Sequence, residues 1–224
     1  MRCMPKIVDH KERKLAFAGA AFRVIAKRGL ARVTVREIAR EAGFTTGALV
    51  HYFKSKDQVL ISASEYSGVI VRTRMQEHET ARKGVDALKH VIYQALPMTP
   101  EMRGTWNVWL GFWDRATHNK EVRDITELRY KEWQDRIATL VKGAQATGEL
   151  SPKVDPTRAA QSIISLVDGI GVRVLLTGAE IPAKRQKELV DSLIDNLPHS
   201  VSRKPAKKKK RASAVANGNA RTAR

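Results

Sequence analysis

Two stretches of this 224-residue chain bring together residue types that chemistry would need side by side. The first is TTGALVHYFKSK, residues 45–56, where four small residues (Thr45, Thr46, Gly47, Ala48) precede the bulky His51, Tyr52 and Phe53 and the cationic Lys54 and Lys56. Small side chains at a helix start let backbone N–H groups and threonine hydroxyls come close to phosphate or to base edges. Tyr52 can set its hydroxyl on a phosphate, and Lys56 offers an unshared charge. No Arg or Gln stands here to read a base with two hydrogen bonds, so selectivity would draw on backbone fit, threonine methyls and DNA shape. Phe53 is better suited to plugging this helix against the next one.

The second stretch is WNVWLGFWDRATHN, which spaces Trp106, Trp109 and Trp113 by three and four residues with Phe112 beside the last. Three of the four tryptophans therefore share one helical face. Such a stripe packs a core or a dimer surface, or it forms an aromatic box whose π-faces attract an amine or quaternary ammonium, at ~0.5–2 kcal/mol per contact. Buried tryptophan also needs a partner for its N–H, which makes it an unusual filler. A further clue is Asp168 in SLVDGIGVRVLLTG, a carboxylate amid Leu166, Val167 and Ile170. Burial there is costly without a partner. Arg173 and Arg115 are candidate partners, and a cationic ligand is the alternative. Gly169 and Gly171 would let another helix, or a partner subunit, come close. With Tyr93 and Trp133 from neighbouring helices, the candidate ligand set is Tyr93, Trp106, Trp109, Phe112, Trp113, Trp133 and Asp168.

The elements that must position these groups read as helices throughout. Leu15, Ala18, Phe22 and Ile25 mark a long first helix stopped by Gly29. Thr34 stands three residues before Glu37, a capping box for a short helix at about 35–42 that closes at Gly43. Thr45 or Thr46 caps a third helix ending near Tyr52. Ser55, three before Gln58, caps a fourth with Val59, Ala63, Tyr66 and Ile70 on one face. A fifth, through Val85, Leu88, Ile92 and Ala95, stops before Pro97. Thr99 with Pro100 starts a sixth running to about Thr117. Asn119 opens a seventh ending at Gly148, and Asp155 with Pro156 an eighth ending near Gly178. Pro182 begins a ninth, with Leu189, Leu193 and Leu197 in line. No segment shows sustained strand alternation, so the fold class is all-α. A long helix followed by two short ones is helix-turn-helix geometry, the second short helix lying in the major groove.

Charge divides the chain into three parts. Residues 1–56 carry 13 Lys/Arg against four Asp/Glu, a net +9, and residues 198–224 carry nine Lys/Arg and no acid. The total is +18, so residues 57–197 are neutral. A neutral body between basic ends suits a regulatory or assembly module flanked by polyanion-binding segments. After Pro198 too few apolar residues remain to offset ordering entropy, which predicts a disordered basic tail. KPAKKKKR within it reads as a flexible arm that adds nonspecific DNA affinity, or as a solvated tail. No apolar run approaches the ~18 residues of a membrane span, and no signal peptide is visible. One cysteine, Cys3, precludes an internal disulfide and suits a reducing cytosol.

TVREIAREAGFTTGALVHYFKSKDQVL resembles the DNA-binding signature of TetR-type transcriptional repressors, with Thr34, Ile38, Ala39, Ala42, Gly43, Gly47, Tyr52, Phe53, Lys56 and Leu60 at its recurring positions. The resemblance implies a nine-helix fold, an obligate homodimer, a DNA-binding domain at 1–56 and a ligand-binding and dimerisation domain at 57–197. It also implies a double-stranded DNA operator as partner, Thr34, Thr45, Tyr52 and Lys56 as phosphate contacts, and Thr46, Val50 and His51 facing the groove. His51 stands at a position that is often tyrosine in the family. WLGFW and DGIGVRVLLTG are similar to the BetI-type, choline-sensing branch, which implies a small-molecule effector, choline-like or another amine, with a purely apolar ligand as the alternative. Gly171 stands where that branch suggests a bulky aromatic, which predicts an enlarged pocket. The apolar faces Ile163, Val167, Ile170, Val174 and Leu189, Leu193, Leu197 are expected to pair between subunits as a four-helix bundle. A regulator of this kind belongs in the bacterial cytoplasm.

The six histidines are scattered, without metal spacing, an activated nucleophile or a phosphate loop, so no enzyme and no cofactor is expected. The competing class is an architectural protein that coats DNA without a ligand, for which the two basic ends would suffice.

Overall fold

The computed structural model describes residues 10–79, 82–177 and 181–200. Among these, nine α-helices follow one another: α1 (His10–Arg28), α2 (Val35–Glu41), α3 (Thr46–Tyr52), α4 (Lys56–Glu79), α5 (Gly84–Ala95), α6 (Pro100–Ala116), α7 (Lys120–Ala146), α8 (Pro156–Thr177) and α9 (Ala183–Asp195), with a 3-10 turn at Leu30–Arg32. The expected all-helical architecture is what the chain adopts. Most of its helix starts are the ones the side chains announce. Thr34 Oγ1 accepts from the Glu37 N–H at 3.2 Å while the Glu37 carboxylate accepts from the Thr34 N–H at 3.2 Å, a complete capping box. Ser55, Thr99, Asn119 and Asp155 accept from the N–H groups of Gln58, Met102, Val122 and Thr157. Between α2 and α3, Gly43 takes φ +74°, and the Gly43 and Phe44 N–H groups reach back to the carbonyls of Arg40 and Ala39. That double closure turns the chain sharply, and only glycine takes this φ without strain.

Two apolar clusters organise the bundle. One joins Phe17, Ile25, Ile38, Leu49, Phe53 and Leu60 with Val108 and Phe112 of α6 and Val122 of α7. The core beneath the helix-turn-helix thus extends well beyond residue 56. The other gathers Leu88, Ile92, Trp106, Ile137, Val141, Ile163, Val167, Val190 and Ile194. Asp57, in the first turn of α4, ties α4 to α6 and to the start of α7 beside the first cluster: it receives both Nε and Nη2 of Arg115 at 2.7 Å and Nδ2 of Asn119 at 2.9 Å. These donors hold its carboxyl below the usual carboxylate range, although burial opposes them.

Three expectations change. Ile163, Val167, Ile170 and Val174 are not a dimer face, because all four are buried in the protomer's own core. α8 packs that face inward on α7 and α6, leaving Ser162, Ser165, Gly169 and the 75 %-exposed Leu176 outward. On α9 the inward residues are Gln186, Val190 and Ile194, while Leu189, Leu193 and Leu197 are only half-covered. Second, α8 is long and apolar enough, by length and composition, to cross a membrane, contrary to the sequence expectation. Its apolar face is instead absorbed by the bundle. Third, the folded chain continues past residue 197: the Ser151 N–H donates to the Pro198 carbonyl at 2.8 Å, and Leu150 and His199 form an antiparallel bridge. The tail expected to be disordered otherwise falls at 201–224, outside the described residues, as does Cys3.

Candidate functional site

The first candidate surface is α3. Leu49 and Phe53, 1 % and 5 % exposed, hold it against the core, and Phe53 meets Phe17 edge-on with centroids 6.2 Å apart. Phe53 is therefore the plug that its position suggested. The opposite side presents Thr46, Gly47, Val50 and His51, all exposed. A valine 53 % exposed on a short helix is an apolar tip open to solvent, suited to a thymine methyl. Thr45 caps α3 by accepting from the Ala48 N–H at 3.3 Å, which leaves its hydroxyl proton available to an external acceptor. Thr34 is more committed, since its hydroxyl also donates to Glu37 Oε2 at 3.1 Å. Those bonds, with Arg28 and Arg40 nearby, hold the Glu37 carboxyl below its ordinary value. Tyr52 is half-buried, its ring 5.5 Å from His10 and 5.3 Å from Phe17, so α1 sets the direction of its side chain. Lys56 is exposed at the start of α4. Ion pairs Arg23–Glu41 and Arg28–Glu37 tie α1 to α2 and fix the frame on which α3 sits.

The second candidate is a cavity of about 600 Å³ walled by α4, α6, α7 and α8. Six of the seven ligand candidates reach it: Trp106, Trp109, Phe112, Trp113, Trp133 and Asp168. Tyr93 does not. It sits on the α5 side that faces α9, where its hydroxyl donates to the Asp191 carboxylate and the Lys187 ammonium lies 5.2 Å over its ring. The tryptophans divide by role. Trp106 is fully buried, with its N–H on the Ala95 carbonyl at 2.8 Å, and serves as core. Trp109 and Trp113 pack edge-on against it at 5.1 and 5.7 Å and stay half-buried. Trp113 stacks on Tyr130 at 6.2 Å and 28°.

Gly171 does not enlarge the cavity. A β-carbon there would lie 2.2 Å from the Trp106 ring, so the indole already occupies the space an aromatic at 171 would fill.

Asp168 takes neither arginine proposed as its partner from sequence; Arg115 is engaged by Asp57, and the Tyr130 hydroxyl donates to Asp168 Oδ2 at 2.8 Å. Burial pushes the Asp168 carboxyl up to about 6, with the Tyr130 bond opposing. The folded value lies above the ordinary ~3.9, so the folded chain holds this proton more tightly than the unfolded one. The carboxylate therefore costs stability above pH ~6, and that cost fades as pH falls toward ~4. Asp168→Asn keeps an acceptor for Tyr130 and removes the titration. Thermal unfolding should show the variant about 1–2 kcal/mol more stable at pH 7.5, with the difference gone near pH 4.5. Equal stability of the two proteins at pH 7.5 would refute the buried-carboxylate account.

Three wall residues, Ser64, Arg129 and Tyr130, are not among the candidates drawn from sequence. Ser64 and Ser67 are buried on α4, where Ser67 Oγ accepts from the Trp109 N–H at 3.3 Å and donates to the Ser64 carbonyl at 2.8 Å. Arg129 and Tyr130 come from α7. The available signal was the spacing of Thr126, Arg129, Tyr130 and Trp133, which places them on one side of a helix.

Residues 19–63 match the family of bacterial regulatory proteins of tetR type, and residues 84–199 match the C-terminal domain of BetI-type transcriptional repressors. The HTH-type transcriptional regulator BetI of Rhizobium meliloti (strain 1021) is 31 % identical over 198 residues, covering 86 % of this chain and 92 % of that one. The regulator PksA of Bacillus subtilis (strain 168) is 26 % identical over 197 residues, 87 % and 94 % of the two chains. Among solved structures, a chain assigned to TetR-family regulators from Rhodococcus sp. superposes with a TM-score of 0.72 at 28 % identity, over 84 % of this chain and 98 % of that one. A transcriptional regulator from Saccharomonospora viridis in complex with choline reaches 0.75 at 24 % identity, over 84 % and 97 %, a likeness of fold. On these matches the chain belongs to the TetR family of bacterial DNA-binding transcriptional regulators, with a BetI-type C-terminal domain.

Proposed function

We propose that the protein is a dimeric repressor that binds a palindromic operator in the bacterial cytoplasm and lets go when a small molecule, choline-like or another amine, fills the cavity. The exposed face of Thr46, Gly47, Val50 and His51 on a helix anchored from behind is the observation that carries the DNA-binding part. Thr45, Tyr52 and Lys56 would take phosphates around it. Thr34 would do so only by giving up a capping-box bond. In the dimer, the outward side of α8 and the half-covered leucines of α9 would meet their copies. That packing would hold two α3 tips about one DNA turn, ~34–36 Å, apart.

Support for an effector comes from Trp109, Trp113, Trp133 and Asp168 around one cavity, with a choline-bound neighbour in fold. α6 carries Trp106, Trp109 and Trp113, and near its end Arg115 grips Asp57, five residues after α3 ends. A ligand that shifts α6 would move the start of α4, and with it the separation of the two tips. Operator affinity would then fall by the ligand's differential affinity for the two states and by no more.

DNase footprinting on DNA flanking the protein's own gene, at ~150 mM salt, tests the reading. One protected palindrome is expected. Protection of all sequences in proportion to protein concentration would establish the architectural class instead.

A further inference from the structure

Phe112 already has a cation. The guanidinium carbon of Arg129 stands 4.9 Å over its ring centroid, and an Arg129 amino group donates to Ser64 Oγ. Arg129 is half-buried on the cavity wall, and no ion pair to it forms among the described residues. Burial is the largest influence on its pKa and lowers it; Glu65 and Glu132 oppose from exposed positions, and Arg72 adds to the lowering. A guanidinium with a ring face and one hydroxyl as near partners is incompletely compensated for its desolvation. It also has donors left over, since guanidinium carries five N–H groups.

The next residue on α7, Tyr130, belongs to the opposite charge. Its hydroxyl is on Asp168, and its ring stacks with Trp113. One cavity therefore holds a carboxylate set among aromatic rings and a guanidinium without an ion-paired anion among the described residues, although Glu65, Glu132, Arg72 and Arg136 also line the wall. A simple amine would satisfy the first and be repelled by the second. The cavity, at about 600 Å³, is also of the size that holds drug-sized ligands.

We propose that the effector is a zwitterion: its ammonium group lies against Trp113, Tyr130 and Asp168, and its carboxylate on Arg129. This rests on the reading of the cavity as the effector site and narrows it from amines in general to amphoteric molecules. A carboxylate on guanidinium can take two parallel N–H bonds, stronger than any bond Arg129 makes to Ser64.

Three isosteric probes decide the matter: γ-trimethylammonium butanoate, the corresponding trimethylammonium butanol, which has the cation alone, and the analogue whose neutral tert-butyl head leaves only the carboxylate. Each is titrated by calorimetry and tryptophan fluorescence into the full chain and into Arg129→Gln. The expected result is that the zwitterion binds the unaltered protein at least ~10-fold more tightly than either half-probe. In Arg129→Gln its advantage over the cation should shrink to within about threefold, with the cation's own affinity unchanged or improved. The comparison on the unaltered chain needs no variant, so misfolding of Arg129→Gln, checked by circular dichroism and operator binding, cannot mask the answer. A cation that binds as well as the zwitterion overturns the proposal, as does a preference that survives Arg129→Gln. Silence to all three probes also overturns it, while operator footprinting with the same preparation judges the repressor reading separately.

Discussion

Gly47→Glu should abolish operator binding, at least ~100-fold or about 2.7 kcal/mol, in a protein that folds as well as or better than the original. Around Gly47 nothing lies within 4 Å, so the added side chain meets only solvent in the free protein. Replacing glycine inside a helix gains about 0.5–1 kcal/mol of propensity, and a carboxylate in the first turn of α3 suits the helix dipole. Both effects favour folding. On DNA the same side chain would stand where the α3 tip meets the groove floor, adding bulk where contact is closest and negative charge beside phosphates. Gly47→Ala, which adds one methyl, separates bulk from charge and should cost no more than about tenfold, near 1.4 kcal/mol. The measurements are operator affinity by fluorescence anisotropy and melting temperature by circular dichroism on the same samples. Full-strength operator binding by Gly47→Glu would mean that α3 does not approach DNA by this end.

The second large effect is expected inside the bundle, at Gly171. On helix propensity alone, Gly171→Ala would stabilise α8 by up to ~1 kcal/mol. Trp106 reverses the sign. The new methyl would lie 2.2 Å from the indole, which cannot retreat without giving up its 2.8 Å bond to the Ala95 carbonyl. Overpacking of this kind costs about 1–3 kcal/mol, which for a chain of this length lowers the melting temperature by roughly 2–12 °C. Trp106→Phe by itself leaves a void and a lone carbonyl, so it too destabilises. Combined, the two changes should cost less than their sum by about 1 kcal/mol or more, because the smaller ring makes room for the methyl. Strict additivity in the double-mutant cycle would show that the two residues do not share that space.

The second prediction bears on where the cavity ends within the bundle. With Trp106 filling the place left by Gly171, the core is closed at that end. The open cavity volume lies instead toward Trp113, Tyr130 and Arg129.

What the sequence determined by itself was everything governed by neighbours three or four residues away. Thr34 with Glu37, Ser55 with Gln58, Thr99 with Pro100 and Asp155 with Pro156 announce helix starts, because a cap and the N–H group it satisfies lie in one turn. The order of capping box, glycine turn and small-tipped helix was legible for the same reason. α5 is the exception that shows the rule: Lys83 offers no cap, and the Val85 N–H finds the Glu149 carboxylate, 64 residues away, at 3.3 Å. No local signal could announce that start. Tertiary structure also chose between two apolar sides of α8, gave Asp168 to Tyr130 rather than to an arginine, and turned Tyr93 away toward α9. It put Arg129 over the ring of Phe112, which from sequence looked ready for a ligand. Periodicity says which residues share a helix face; which face meets which neighbour depends on crossing angles set by the packing of helices far apart in the chain.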